Sequence, residues 1–225
     1  MQPQALSLKE IQLFSSLSDD DLHLIRDKIH IKLFEKQEII LFERDTNEFM
    51  YIVLSGTVKV TRITEEGKEV VLALHRTGDF FGEMSLMDSK SAPAFVTAME
   101  DSVVAVISRK DFHSILFTSN KVLENLLQIL SSRLRDSWEK ITILSYNNAS
   151  QRLRTLFTML SDDYGHSTNE GITLNIKLTH QEIGNMVGMT RETVTRIIDK
   201  WQTKGEITTL KNRYIRLNPP FLQGA

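Results

Sequence analysis

Cysteine is absent from this 225-residue chain. That single absence excludes disulfides, thiolate-bound metals, cysteine nucleophiles and cysteine-ligated iron–sulfur clusters together. Long apolar runs are missing too, and none approaches the roughly 18 residues that a membrane helix needs. The opening MQPQALSLKE lacks the basic start and apolar stretch of a secretion signal. No membrane partner is expected, and cytoplasm is the expected location. Catalytic signatures are also wanting. The sequence shows no P-loop, no ordered Ser/His/Asp set, no metal-ligand cluster and no pair of catalytic carboxylates. Neither a metal site nor an enzyme is expected.

A charge excess of either sign is missing overall, since the formal net charge is −2. Taken alone, that value argues against a nucleic-acid partner. The two ends differ, however. Residues 1–145 hold 17 Lys+Arg against 22 Asp+Glu, whereas residues 146–225 hold 10 against 7. Any polyanion is therefore expected on the C-terminal part. At 41% hydrophobic and 25% charged residues, the chain has an ordinary globular composition and the length for one large or two medium domains.

What is present changes period along the chain. Residues 8–30 read as an amphipathic helical lead-in. Ser18 is placed to cap a helix that begins with Asp19, Asp20 and Asp21, and Leu22, Ile25 and Ile29 form its apolar stripe. From residue 31 to 108 the pattern becomes β-type, through Ile31, Leu33, Ile39, Leu41, Met50, Ile52, Leu54, Val58, Val60, Val70, Leu72 and Leu74. Gly56, Gly67 and Gly78 punctuate it at an eleven-residue interval. Short strands at such spacing predict an antiparallel sandwich. Ala94–Ala98 and Val103–Ile107 close the block.

A short helix is predicted over Arg109–Leu116 and a long one over Lys121–Tyr146. Leu123, Leu127, Leu130, Leu134, Ser137, Ile141 and Leu144 alternate spacings of four and three, the a/d seam of a two-stranded coiled coil. Leu126, Ile129 and Ile143 supply a second apolar edge suited to packing on the sandwich. A homodimer through this helix is expected. Asn147–Ser150 reads as a hinge, because such side chains compete with helix hydrogen bonds. A further amphipathic helix carries Leu153, Leu156, Phe157 and Leu160. It is followed by a polar loop, His166 to Gly171, and a strand with Ile172, Leu174, Ile176 and Leu178.

The stretch THQEIGNMVGMTRETVTRIIDK, Thr179–Lys200, has the marks of a helix-turn-helix. Thr179 and Glu182 have capping-box spacing, Thr190 can cap the second helix, and Gly188 falls where the turn needs positive φ. Ile183, Val187, Val194 and Ile197 form the seam, with the small Gly184 at the crossing. Arg191, Glu192 and Arg196 share the opposite face. Arg pairs bidentately with guanine and Glu accepts from cytosine, so these three are the candidate base readers. Thr179, Thr190, Thr193 and Thr195 are candidates for the phosphate backbone. After Lys204-Gly205, the runs Ile207–Leu210 and Arg213–Leu217 predict a β-hairpin wing, whose Lys211 and Arg213 are further backbone candidates.

A β-sandwich, a dimerising helix and a C-terminal winged helix, in that order, resemble the Crp/Fnr family of bacterial transcription regulators over essentially the whole chain. The fold class implied is α+β, with an N-terminal antiparallel jelly roll of the cyclic-nucleotide-binding type. The divisions expected are 1–118 for effector sensing, 119–146 for dimerisation and 147–225 for DNA binding. By the match of QEIGNMVGMTRETVTRII, the resemblance implies that Arg191, Glu192 and Arg196 read a palindromic TGTGA-like site. A second motif, GDFFGEMSLMDSKSAPAFVTAMEDS, resembles the family's phosphate-binding cassette, opening with Phe81, Gly82 and Glu83. In cAMP-binding members, that Gly approaches the phosphate through its N–H and that Glu binds the ribose. The sequence then departs from their pattern. Ala92 and Pro93 stand where those members have Arg and Ser, so the phosphate loses its charged partner and an N–H donor. Ser137 matches a hydroxyl near adenine, but Trp138 replaces a small polar residue.

The resemblance thus implies an effector pocket of Phe81, Gly82, Glu83, Ala92, Pro93, Ser137 and Trp138, in which cAMP is disfavoured. Alternatively, Gly82 and Glu83 are retained architecture, with the carboxylate bonded to backbone or to a neighbouring cation. Haem is disfavoured as well, because His30, His75, His113 and the methionines have no spacing that singles out axial ligands. A small acid, another metabolite, or no ligand remains open. RNA polymerase is an expected partner if the protein activates, through the loop His166 to Glu170, and repression is equally allowed. A competing reading is a cyclic-nucleotide or small-ligand sensor whose C-terminal domain meets protein. It leaves Arg191, Glu192 and Arg196 without a common target.

Overall fold

The computed structural model describes residues 8–223. The chain forms two compact units, Met1–Leu134 and Arg135–Ala225, and the division falls inside a long helix.

In the first unit two 3-10 turns, Leu8–Glu10 and Gln12–Phe14, precede α1, Asp19–Arg26. The strands β1 Ile29–Phe34, β2 Ile39–Leu41, β3 Phe49–Ser55, β4 Thr57–Ile63, β5 Glu69–Arg76 and β6 Phe80–Phe81 follow. Then come α2 Glu83–Asp88, β7 Phe95–Ala98, β8 Ser102–Ser108, α3 Arg109–Thr118 and α4 Asn120–Ser145. Two four-stranded antiparallel sheets result, in the orders β1-β8-β3-β6 and β2-β7-β4-β5. Tyr51, Val53, Val104 and Val106 of the first join Val58 and Val96 of the second in one core. Met50, Ile52, Ala105 and Ile107, on the other face of the first sheet, pack with Phe14, Ile25, Phe112, Leu126 and Ile129. A sheet covered on both faces shows continuous burial, which is why Met50–Leu54 does not alternate.

Several expectations change here. The Ser18 cap is present as a capping box with Asp21, but the helix stops at Arg26 and Ile29 opens β1 instead of continuing the stripe. Ile31 and Leu33 alternate like buried strand residues yet are exposed, because β1 is an edge strand. Leu72 of β5 is exposed too, again on an edge strand.

Along α4 the two apolar edges separate. Leu126 and Ile129 are buried in the first unit's core, and Ile143, a residue of the second unit, is buried as well. Of the seam, Leu123, Leu127, Leu134, Ile141 and Leu144 are 40–66% exposed. Leu130 departs from that set, being partly buried against the first core.

In the second unit, Asn148 caps α5, Ala149–Tyr164, by accepting from the N–H groups of Ser150 and Gln151. The polar loop expected after it is instead a strand, β9 Gly165–Thr168, paired with β10 Gly171–Leu174. All four residues of β9 are exposed, so no hydrophobic period marks them. Next come α6 His180–Val187, α7 Arg191–Thr203, β11 Ile207–Thr209, β12 Ile215–Leu217 and α8 Pro219–Gln223. The sheet order is β11-β12-β10-β9, all antiparallel. Ile176 and Leu178 lie beyond β10 but are buried, as their alternation suggested. Arg154 of α5 pairs with Glu206 and lies over the rings of Trp201 and Phe221, at 5.2 and 4.3 Å from their centroids. That stack ties α5, α7 and α8 into one small core.

Candidate nucleic-acid interface and effector cassette

Local chemistry sets the α6–turn–α7 unit. Thr179 Oγ1 accepts from the Glu182 N–H while the Glu182 carboxylate accepts from the Thr179 N–H, a complete capping box. Gly188 ends α6 at φ 66°, the left-handed conformation that favours glycine. Gly184 answers to the turn more than to the partner helix. A Cβ there would lie 2.7 Å from the Met189 carbonyl, whose own N–H donates to the Gly184 carbonyl. Thr190 caps α7 by accepting from the Thr193 N–H. Ile183, Val187, Val194 and Ile197 are buried between the elements.

This packing leaves one face of α7 to solvent. Arg191, Glu192 and Arg196 are exposed there, and with Thr195 and Asp199 they line a shallow concavity. None of the three makes a side-chain hydrogen bond or ion pair with another described residue. Such unpaired charges, held on a rigid helix, are available to an external partner. The threonines differ. Thr179 donates to Glu182 at 2.8 Å and Thr195 donates to the Arg191 carbonyl at 2.9 Å. Thr190 and Thr193 bond to each other at 3.1 Å, which leaves one hydroxyl proton free between them. In the wing, a 3-10 turn, Lys211–Arg213, joins β11 to β12. Lys211 and Arg213 are exposed, Arg213 at φ 67°. Lys177, which the sequence reading passed over, sits 5.2 Å over the Tyr214 ring and adds a cation beside the wing.

The cassette is built in the first unit. Phe81 is buried in a stack with Tyr51 at 4.9 Å and His75 at 6.1 Å, the rings nearly parallel. Gly82, at φ 87°, starts α2, and a Cβ there would meet the Phe49 carbonyl at 2.8 Å and the Asn47 amide at 3.0 Å. Asn47 donates to both the Phe49 and Gly82 carbonyls. The glycine is thus required by the protein's own backbone. Glu83 is buried and accepts from Arg133 at 3.0 Å. Arg133 also donates to the Phe80 carbonyl and lies 4.3 Å from the Phe80 ring centroid. Burial pushes the Glu83 carboxyl above the usual range, and the Arg133 charge pulls it back only in part.

Ala92 is buried in the same core as Phe81, and Pro93 is exposed. Neither fits a cyclic phosphate, which wants a cation and N–H donors. Ser137 and Trp138 belong to the second unit, and Trp138 is 60% exposed. Asn47 and Arg133 escaped the sequence reading because their partners are 35 and 50 residues away. Among the described residues, no three His, Asp or Glu are grouped to hold a metal ion, and no helix is long and apolar enough to cross a membrane.

Comparison with known proteins decides the family. The cyclic nucleotide-binding domain matches residues 31–119 and the Crp-like helix-turn-helix domain residues 151–224. The global nitrogen regulator of Synechococcus elongatus is 32% identical over 193 residues, covering 85% of this chain and 87% of its own. The chain belongs to the Crp/Fnr family. It is a DNA-binding transcription regulator of that type, with the family's α+β fold. The cyclic AMP receptor protein of Thermus thermophilus is 28% identical over 200 residues, 89% of each chain. In fold, the chain is similar to a CooA mutant from Carboxydothermus hydrogenoformans. The TM-score is 0.80 at 22% identity, over 98% of this chain and 97% of that one.

Proposed function

We propose that this Crp/Fnr regulator works as a homodimer joined along the α4 seam and binds a near-palindromic site of TGTGA-like half-sites. Each α7 enters the major groove, with Arg191, Glu192 and Arg196 on base edges. The observation that carries this reading is the set of three exposed charges on one helix face with no internal partner. Lys211, Arg213 and the Thr190–Thr193 pair contact the phosphate backbone. Thr179 and Thr195 reach it only by giving up their present bonds. Dimerisation explains the exposed leucines of α4, since five large apolar side chains on one helical stripe call for a cover.

The effector, if one acts, is not cAMP. Glu83 is held by Arg133, Gly82 serves the backbone, and Ala92 leaves a cyclic phosphate without its cation. The relatives include proteins named global nitrogen regulator and cyclic AMP receptor protein. The exposed β9 edge offers open backbone groups to a protein partner such as RNA polymerase, should the regulator activate.

Arg191→Ala tests the base-reading assignment. The variant is expected to lose about 1–3 kcal/mol per half-site contact and to relax base preference at one position. Binding to operator and to scrambled duplex, measured at one salt concentration, checks it. An unchanged ratio between the two would remove Arg191 from base reading.

A further inference from the structure

The helices α6 and α7 are held together by an apolar seam and also by a polar relay. His180, the first residue of α6, lies with Nδ1 2.8 Å from Thr195 Oγ1. Thr195 Oγ1 in turn lies 2.9 Å from the Arg191 carbonyl. A hydroxyl has one proton. Because Thr195 gives its proton to the Arg191 carbonyl, its oxygen accepts from His180, so Nδ1 carries the ring proton. The relay runs His180 Nδ1–H to Thr195 Oγ1–H to Arg191 C=O. It joins the start of α6 to the first turn of α7, beside the exposed Arg191 and Arg196.

We infer that His180 is a positioning residue for DNA reading, acting through Thr195 to fix the angle at which α7 presents Arg191 and Arg196. The seam of Ile183, Val187, Val194 and Ile197 is non-directional, and a line of apolar contacts lets two helices rock about it. A directional bond between the same two helices removes that freedom. Rocking of α7 would change the reach of both arginines together, since Thr195 is adjacent to Arg196 and bonds the carbonyl of Arg191. Base contacts need correct placement of a planar guanidinium, whereas phosphate contacts tolerate displacement. Loss of the relay therefore lowers selectivity more than general DNA affinity. The inference rests on the DNA-reading proposal above.

The test uses the full-length protein and two duplexes, a selected operator and its scrambled counterpart, with thermal unfolding of every variant. His180→Ala and Thr195→Val are each expected to lower the operator-to-scrambled affinity ratio about fivefold, the worth of one hydrogen bond. Affinity for scrambled DNA should hold in His180→Ala, and in Thr195→Val, whose hydroxyl is also a phosphate candidate, it should fall less than affinity for the operator. The double variant should lose no more than either single one, because both break the same relay. His180→Asn, whose amide nitrogen can stand in for Nδ1, should restore selectivity, and Thr195→Ser should retain it. A Thr195→Val protein with wild-type selectivity would overturn the inference, as would additive losses in the double variant. If His180→Ala weakened both duplexes equally while Thr195→Val was silent, His180 would be a phosphate contact and its positioning role would be wrong. A wild-type protein that fails to prefer the operator would instead strike the DNA-reading proposal itself.

Discussion

Leu127→Glu combined with Leu134→Glu is expected to convert the protein to a monomer and abolish operator binding. Both leucines are more than half exposed on α4, at 56% and 52%, and both stand at seam positions. Glutamate is a good helix former, so α4 should keep its helicity. In a two-stranded seam, however, each carboxylate would be buried without a cation, a cost of several kcal/mol per ion. A monomer holds one half-site at a time, and the second half-site no longer acts as a tethered contact. Affinity for the operator should fall to the non-specific level, about a thousandfold or more. Light scattering gives the mass, circular dichroism the helix content, and a gel shift the affinity. A double variant that remained dimeric would place the subunit interface elsewhere.

Glu83→Ala is expected to destabilise the first unit by about 3 kcal/mol, at the low end for a broken buried ion pair. The low end applies because the Arg133 side chain keeps 25% of its surface exposed and retains the Phe80 carbonyl and ring. It can therefore recover some water when its carboxylate is gone. The double variant Glu83→Met/Arg133→Met should lose less than the sum of the single changes, since apolar replacement of a whole buried pair is often near neutral. Urea unfolding measures all four proteins. Strict additivity would show that the two side chains do not act as a pair.

The sign of the pH effect follows from the raised Glu83 pKa. The folded protein holds this proton more tightly than the unfolded chain. The group's stabilising contribution is full below the unfolded pKa and is lost as pH rises through the folded one. Glu83→Gln removes that component, so the fall in stability as pH rises through the folded pKa of Glu83 should be absent from the variant when urea unfolding is followed across pH.

How legible each region was depended on how far apart its partners lie. The helix-turn-helix was readable almost atom by atom. Its capping box, its positive-φ Gly188 and its seam all act within 22 residues, Thr179 to Lys200, and each has a local signature. The capped start of α1 was readable for the same reason. Strands were less so. β9 has no buried face and hence no period, while β1 shows a period without burial because it lies at a sheet edge. The cassette was found by its Phe-Gly-Glu, but its bonds to Arg133 and Asn47 were not, since no spacing rule links those residues to it. The relay from His180 was hidden too. A histidine beside a cap looks like any exposed polar residue until the fold sets Thr195 against it.

Selection of bound duplexes from a random-sequence pool tests the central claim most directly. The expected product is an inverted repeat of TGTGA-like half-sites, their centres about one helical turn, roughly 10.5 bp, apart. Its G and C positions should respond to changes at Arg191, Glu192 and Arg196. Enrichment of no motif, or of a single half-site without its inverted copy, would contradict a dimer that reads DNA through α7.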